Sequence, residues 1–172
     1  MKRVSLLIGL LILVTTGTTQ AQSRDGFWIG FGFGGGSLSI DDADDREAGG
    51  VGFLKMGGTI NEKFLIGGES NVWLKEVDGV TITSSNFSAV AYFYPSATSG
   101  FFLKGGIGWA RLALESGGVT LATNGGGAVF GIGYDWRVGD NVSINPVLNF
   151  SAASYDGGDT NVTELAVGVT FH

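Results

Sequence analysis

Five carboxylates crowd into seven residues at Asp41, Asp42, Asp44, Asp45 and Glu47. Oxygen donors at that density suit hard divalent cations such as Ca²⁺ or Mg²⁺. The spacing lacks the full calcium-loop pattern, so a solvated acidic loop is the default and no metal site is assigned. A more specific use would be divalent ions bridging this loop to anionic lipopolysaccharide. Gly30-Phe31-Gly32-Phe33-Gly34-Gly35 satisfies G-x-G-x-x-G. A nucleotide fingerprint needs a strand before it and a helix after it, and here an acidic loop follows that would repel phosphate. His172 is the single histidine and the chain has no cysteine. That inventory leaves no nucleophile–base–orienter set, so no catalytic residue and no cofactor are expected. The Asn-x-Ser/Thr matches at Asn86, Asn141, Asn149 and Asn161 carry little meaning by themselves.

The elements that hold these residues are written as alternation. In Leu165-Ala166-Val167-Gly168-Val169-Thr170-Phe171-His172 one face carries Leu165, Val167, Val169 and Phe171. The other carries Ala166, Gly168, Thr170 and His172, which is the period of a β-strand. About eight such segments follow residue 26, at roughly 26–36, 50–60, 64–76, 80–94, 101–114, a sixth ending near 137, 142–152, and the C-terminal run. In the fourth, Phe87, Ala89, Ala91 and Phe93 oppose Asn86, Ser88, Val90 and Tyr92. Asp78-Gly79 is a strong hairpin signal.

Residues 1–21 read as a signal peptide: Lys2 and Arg3, an apolar run from Leu6 to Val14, then a small residue, Ala21, at the cleavage site. The domain is then residues 22–172. No apolar run is long enough to span a bilayer as a helix. Glycine contributes 31 residues and proline 2, with 12% aromatics, so the glycine does not signal disorder. The formal charge of −6 gives no electrostatic case for nucleic acid.

Together these features imply an all-β, eight-stranded antiparallel up-and-down transmembrane β-barrel of the bacterial outer membrane. Both termini would be periplasmic. The turns near 61–63, 95–100 and 138–141 would lie on that side, and the connections near 37–49, 77–80, 115–119 and 153–160 outside, the first of them long. An eight-stranded barrel is just wide enough for side chains to fill. The inward set includes a polar network of Lys55, Glu69, Asn71, Lys104, Asp135, Asn145, Asn149 and Glu164. Unpaired charge there is costly, so Lys55 and Lys104 should find Glu69, Asp135 or Glu164. Trp109 is expected in the outer aromatic girdle, with Tyr134, Trp136 and Phe171 in the periplasmic one. Pro146 donates no ladder bond; it calls for a bulge, or a register that leaves its nitrogen unbonded.

Phe101-Phe102-Leu103-Lys104-Gly105-Gly106-Ile107-Gly108-Trp109-Ala110-Arg111, with Gly131-Ile132-Gly133-Tyr134-Asp135-Trp136-Arg137 and Asn141-Val142-Ser143-Ile144, resembles the OmpA/OmpX-like outer membrane β-barrel family, also labelled porin-family or opacity-type proteins. The resemblance covers the mature chain at the level of pattern. It implies a small barrel whose last residue is an aromatic read by the barrel assembly machinery. Here Phe171 is penultimate, before His172. With no peptidoglycan-binding segment after the barrel, a tethering role is not expected. The implied partners are outer membrane lipid and lipopolysaccharide, and the barrel is expected to be a monomer. Two functions remain open: a non-enzymatic structural or surface-interaction barrel, and a small porin-like barrel passing small or hydrophobic molecules. A soluble lipocalin-type barrel would need the apolar face inside.

Overall fold

A computed structural model describes residues 24–40 and 46–172. The signal-peptide residues 1–21 and four of the acidic-loop residues, Asp41, Asp42, Asp44 and Asp45, lie outside the described residues. Every described element is a strand: β1 (Phe27–Ile40), β2 (Glu47–Asn61), β3 (Phe64–Val77), β4 (Val80–Phe93), β5 (Phe101–Ser116), β6 (Val119–Tyr134), β7 (Trp136–Arg137), β8 (Val142–Tyr155) and β9 (Gly158–Phe171). β7 continues β6 beyond Asp135, so the nine stretches make eight staves. Each stave pairs antiparallel with its sequence neighbours. β1 closes on β9, from Ile29↔Phe171 to Ile40↔Thr160. The result is a closed eight-stranded up-and-down barrel. Closure matters because it leaves the membrane-facing wall without a free strand edge, the condition a bilayer imposes on a sheet.

Alternation places the side chains. Phe33, Ile107 and Trp109 are about three-quarters exposed, at 76, 75 and 74%. Their strand neighbours Leu38, Phe102 and Ala110 are buried in the lumen. The fourth stave faces as its sequence reads, with Phe87 and Phe93 outward and Asn86, Ser88, Val90 and Tyr92 buried. Glycine admits large rings opposite it. A Cβ on Gly32 or on Gly168 would stand 2.5 Å from Cζ of Phe53, so two glycines make the room one ring occupies.

The outer connections are shorter than the sequence implied. Ser37 and Leu38 pair with Ala48 and Glu47, and Ser39 and Ile40 pair with Asn161 and Thr160, so the ladder takes in residues 37–40 and 47–49 of the expected 37–49 loop. Asp78-Gly79 (φ 51° and 77°) and Gly117-Gly118 (φ 58° and 81°) have the positive φ values of type I′ turns, which let strands run to the tip of a hairpin. Polar residues in these stretches pair as well as apolar ones, because the ladder uses main-chain groups only.

Pro146 is accommodated without a bulge. Its pairing with Val167 on β9 is in continuous register. On the other side the ladder stops at Gly133↔Val147 and resumes at Trp136↔Ile144. The missing donor falls in that gap, opposite Tyr134, while the Asp135 N–H continues the pairing on the β5 side at the Gly100 carbonyl, 2.8 Å away.

Candidate functional site

The staves bring the expected polar residues into one column inside the barrel. Lys55, Glu69, Asn71, Lys104, Asp135, Asn145, Asn149 and Glu164 are all buried. At mid-height Glu69 is the hub. It is ion-paired with Lys104, accepts the Tyr92 hydroxyl, and accepts Asn71 Nδ2 at 2.9 Å. Toward the outer end Asn149 Nδ2 donates to Glu164 at 3.2 Å. Lys55 departs from expectation. It stands directly across the ladder from Glu69 but has no ion pair among the described residues. Its ammonium instead lies 5.2 to 5.9 Å from the ring centroids of Tyr92, Phe102 and Phe53. The carboxylates it could have used are engaged, Glu69 by Lys104 and Asp135 by a residue the sequence reading passed over, Arg24.

Arg24 precedes β1 and folds under the barrel. Its guanidinium sits 3.6 Å from the Tyr94 ring centroid and 4.0 Å from Asp135, and donates to the Ser99 and Ala97 carbonyls at 2.6 and 3.3 Å. Burial pulls its pKa below the usual arginine value. Tyr94, just past β4, is pushed well above the usual phenol range by burial and by Asp135. It therefore stays protonated and donates to Asp135 at 2.6 Å. Asn145 donates to the other Asp135 oxygen. His172 closes the same end, its N–H on the Asn141 carbonyl at 3.0 Å. Burial lowers its imidazole to about 4, so it is uncharged at neutral pH. Above this floor Trp28, Tyr92, Phe102 and Tyr94 stack in series with centroids 5.4 to 5.6 Å apart. The residual space between Trp28, Lys55, Leu65, Tyr92, Tyr94, Thr170 and His172 is about 180 Å³, too thinly spread to seat a water molecule. Nothing in the sequence marked Arg24 beyond its being a basic residue beside Asp25 just ahead of the first strand.

The wall carries a second feature, a reversal of phase. From Leu103 to Trp109 the outward residues of β5 are apolar or glycine and the inward ones, Lys104, Gly106 and Gly108, are small or polar. Past Trp109, Arg111, Ala113 and Glu115 continue the outward row while Leu112 and Leu114 continue the inward one. β6 reverses in step: Phe130 and Ile132 point outward, but nearer the tip Thr120, Ala122 and Asn124 do, with Val119 and Leu121 inward. β4 follows with Ser85, Thr83 and Thr81 outward and Ile82 and Val80 inward. A continuous ladder joins these residues, through Val77↔Val80, Ile82↔Leu114 and Leu114↔Leu121. Eight residue steps from Phe101 to Trp109, at ~3.3 Å each and a tilt near 40°, rise about 20 Å, close to the height of a membrane-facing band. Trp109 thus sits at the upper rim of the apolar band. Tyr134, Trp136 and Phe171 sit at the opposite rim, where Tyr134 pairs with Phe101 and Phe171 with Ile29. Above Trp109 the strands β3–β6 form a protruding sheet in which β4–β6 are polar outside and apolar inside, while β3 keeps Val72 and Leu74 outward. Glu47, the one described member of the acidic cluster, is ion-paired with Lys75 at the flank of this sheet.

No sequence-family profile and no curated protein matches the chain. Solved structures do. Neisserial surface protein A superimposes with a TM-score of 0.68 at 16% identity, covering 87% of this chain and 99% of that one. Ail, the attachment invasion locus protein of Yersinia pestis, gives 0.59 at 14%, covering 86% and 99%. The N-terminal β-barrel domain of Pseudomonas aeruginosa OprF gives 0.54 at 13%, covering 87% and 98%. At these identities the likeness is one of fold, shared over nearly the whole of each barrel.

Proposed function

From this fold, shared with the small eight-stranded outer membrane barrels, we propose that the chain is a non-enzymatic bacterial outer membrane protein with a sealed lumen, whose working surface is the sheet protruding outside the cell. The observation that carries the reading is the pairing of two facts in one wall. Side chains meet across the lumen at two levels, the Glu69–Lys104 pair above and Arg24, Tyr94, Asp135 and His172 below. The strands nevertheless run well past the apolar band, which membrane anchoring alone does not require. Two of the similar structures belong to proteins named for surface exposure and attachment, in keeping with this role.

The orientation follows from Arg24 and His172 both lying at the Phe101–Phe171 end, the periplasmic end in barrels of this kind. Phe171 is the residue offered to the barrel assembly machinery, lipopolysaccharide is the neighbour of the acidic outer loops, and the barrel is a monomer. Because the chain has no cysteine, orientation is testable with one substitution. Thr120→Cys in intact cells should react with a membrane-impermeant maleimide, and Ala97→Cys should not. In planar bilayers the purified barrel should show no stable single-channel steps. Steps of constant size would restore the porin-like reading in place of this one.

A further inference from the structure

The Arg24 side chain fills a slot assembled from three separate connections at the floor of the barrel. Ser99 and Ala97, between β4 and β5, and Glu62, between β2 and β3, offer carbonyl oxygens to its terminal nitrogens at 2.6, 3.3 and 3.4 Å. Asp135, between β6 and β7, lies 4.0 Å from Nε. The Tyr94 ring covers one face, 3.6 Å from Cζ. Arg24, Tyr94 and Asp135 are all buried. Together these contacts describe a receptor for one chemical group. Oxygens stand around the edge of a planar cation and an aromatic ring lies against its face, which suits the flat fork of a guanidinium. An ammonium has three donors that share no plane, and it would leave oxygens here unserved. Arg137 is a second cation close by and opposes a positive guest, so the fit rests on direct contacts rather than net charge. The strap that delivers Arg24 is short. The Thr59 N–H donates to the Gly26 carbonyl at 2.9 Å, and β1 begins at the next residue. Gly26 has a φ of 74°, with open space where a Cβ would stand. Arg24 therefore lies two residues beyond this last bond, on a glycine that turns the chain under the floor.

We propose that this slot is a binding site for an arginine side chain of a periplasmic polypeptide, and that Arg24 is its tethered stand-in, displaced when the partner's arginine enters. The periplasmic source rests on the orientation proposed above; the guanidinium chemistry does not. The slot is preformed. Its carbonyls are main-chain atoms of turns that hold themselves, through Tyr94 N–H on the Lys63 carbonyl, Ser99 N–H on that of Ser96 and Asp135 N–H on that of Gly100, at 2.8, 3.3 and 2.8 Å. Asp135 is fixed by the Tyr94 hydroxyl and by Asn145. None of these bonds involves the strap, so the receptor keeps its shape when Arg24 leaves, and a preorganised site loses little on binding. The wall is equally independent of Arg24, because its ladder with β2 starts at Phe27↔Gly58. A buried carboxylate without its cation is costly, which favours replacement of the departing guanidinium by another. Tethering gives Arg24 an effective concentration in the millimolar range, and that sets the threshold an incoming arginine must exceed.

The test uses the full barrel and its Arg24→Ala variant, refolded in zwitterionic micelles, with heat-modifiable migration on gels showing each barrel intact. Arg24→Gln, which keeps an amide donor in the slot, carries the same test if alanine prevents folding. The probes are methylguanidinium and a capped Gln-Ser-Arg-Asp-Gly peptide, with methylammonium and the lysine version of the peptide as counterparts. A ligand that binds only the folded state raises the urea midpoint saturably. Methylguanidinium and the arginine peptide should each raise the midpoint of the variant toward that of the parent. Methylammonium and the lysine peptide should need at least tenfold higher concentration for the same rise. In the parent, where Arg24 competes, the two guanidinium probes should need at least tenfold more than in the variant. Because the chain has no cysteine, Asp25→Cys in the parent takes a single nitroxide label on the strap. Its spectrum should sharpen with excess arginine peptide and not with the lysine peptide. No rise with methylguanidinium, an equal rise with methylammonium, or the same concentration dependence in parent and variant overturns the proposal. A response to methylguanidinium without one to the arginine peptide, or a label that stays unchanged, overturns it too. Labelling of Ala97→Cys on intact cells would instead remove the periplasmic orientation, and the binding assays on the purified barrel stand apart from that result.

Discussion

Glu69→Ala tests the sealed lumen most directly. Glu69 is fully buried and is the acceptor for Lys104, Tyr92 and Asn71 together. Removing it strands a buried ammonium, and breaking a buried pair from one side typically costs ~3–5 kcal/mol. The Tyr92 hydroxyl and the Asn71 amide each lose an acceptor, at about 1–3 kcal/mol for a buried orphan. These losses overlap, so about 4 kcal/mol is expected rather than their sum. The double change Glu69→Leu with Lys104→Met removes both charges and leaves apolar groups of similar bulk. It should recover stability to within about 1–2 kcal/mol of the parent. Reversible urea unfolding in thin-bilayer vesicles, followed by tryptophan fluorescence and by heat-modifiable migration, measures all three chains. In a hydrated pore the same pair would be worth under ~1 kcal/mol, because water screens it and re-solvates the survivor. A cost for Glu69→Ala below that figure, or no recovery in the double variant, would refute the sealed-lumen reasoning.

Arg24→Ala should lower stability by about 2 kcal/mol, from charge-assisted bonds to the Ser99 and Ala97 carbonyls and its stacking on Tyr94, in the same unfolding assay. Gly168→Ala drives a Cβ to within 2.5 Å of the Phe53 ring and 2.8 Å of the Phe31 carbonyl, and should cost about 1–3 kcal/mol. Adding Phe53→Leu should return part of that loss, and no return would mean the carbonyl is the obstacle. His172 is lowered to about 4 from an ordinary value of 6.5, so between those values the unfolded chain binds a proton that the folded one refuses. Stability then rises with pH across that window and falls on acidification, by about 1–2 kcal/mol once partial exposure is allowed for. His172→Phe should flatten this part of the pH profile of the unfolding midpoint, and an unchanged slope would place the pH dependence elsewhere.

The lumen residues were legible because membrane strands invert the usual rule. Where Phe101, Leu103, Ile107 and Trp109 face lipid, the alternate positions must be inside. The partners were not legible. Lys55 and Glu69 oppose one another in the ladder, yet Glu69 is taken by Lys104, two staves away across β4. Strand tilt and side-chain reach decide such choices, and neither is visible along a chain. The reversal past Trp109 was written in Arg111-Leu112-Ala113-Leu114-Glu115, where the leucines move to the opposite parity from Trp109. It was missed because the alternation was followed only while its apolar side pointed one way.

By itself the sequence determined the strand period, the number of staves, the face each side chain takes, the Asp78-Gly79 turn and the crowding of charge inside. All of these follow from local parity and turn chemistry. Only the tertiary structure decided that Arg24 reaches back to Asp135, that Pro146 lies opposite a gap rather than a bulge, and that residues 119–124 run past the last residue able to pair with them. Those outcomes depend on closing the barrel, because register between staves, and hence which edges overhang, is fixed when the first strand meets the last.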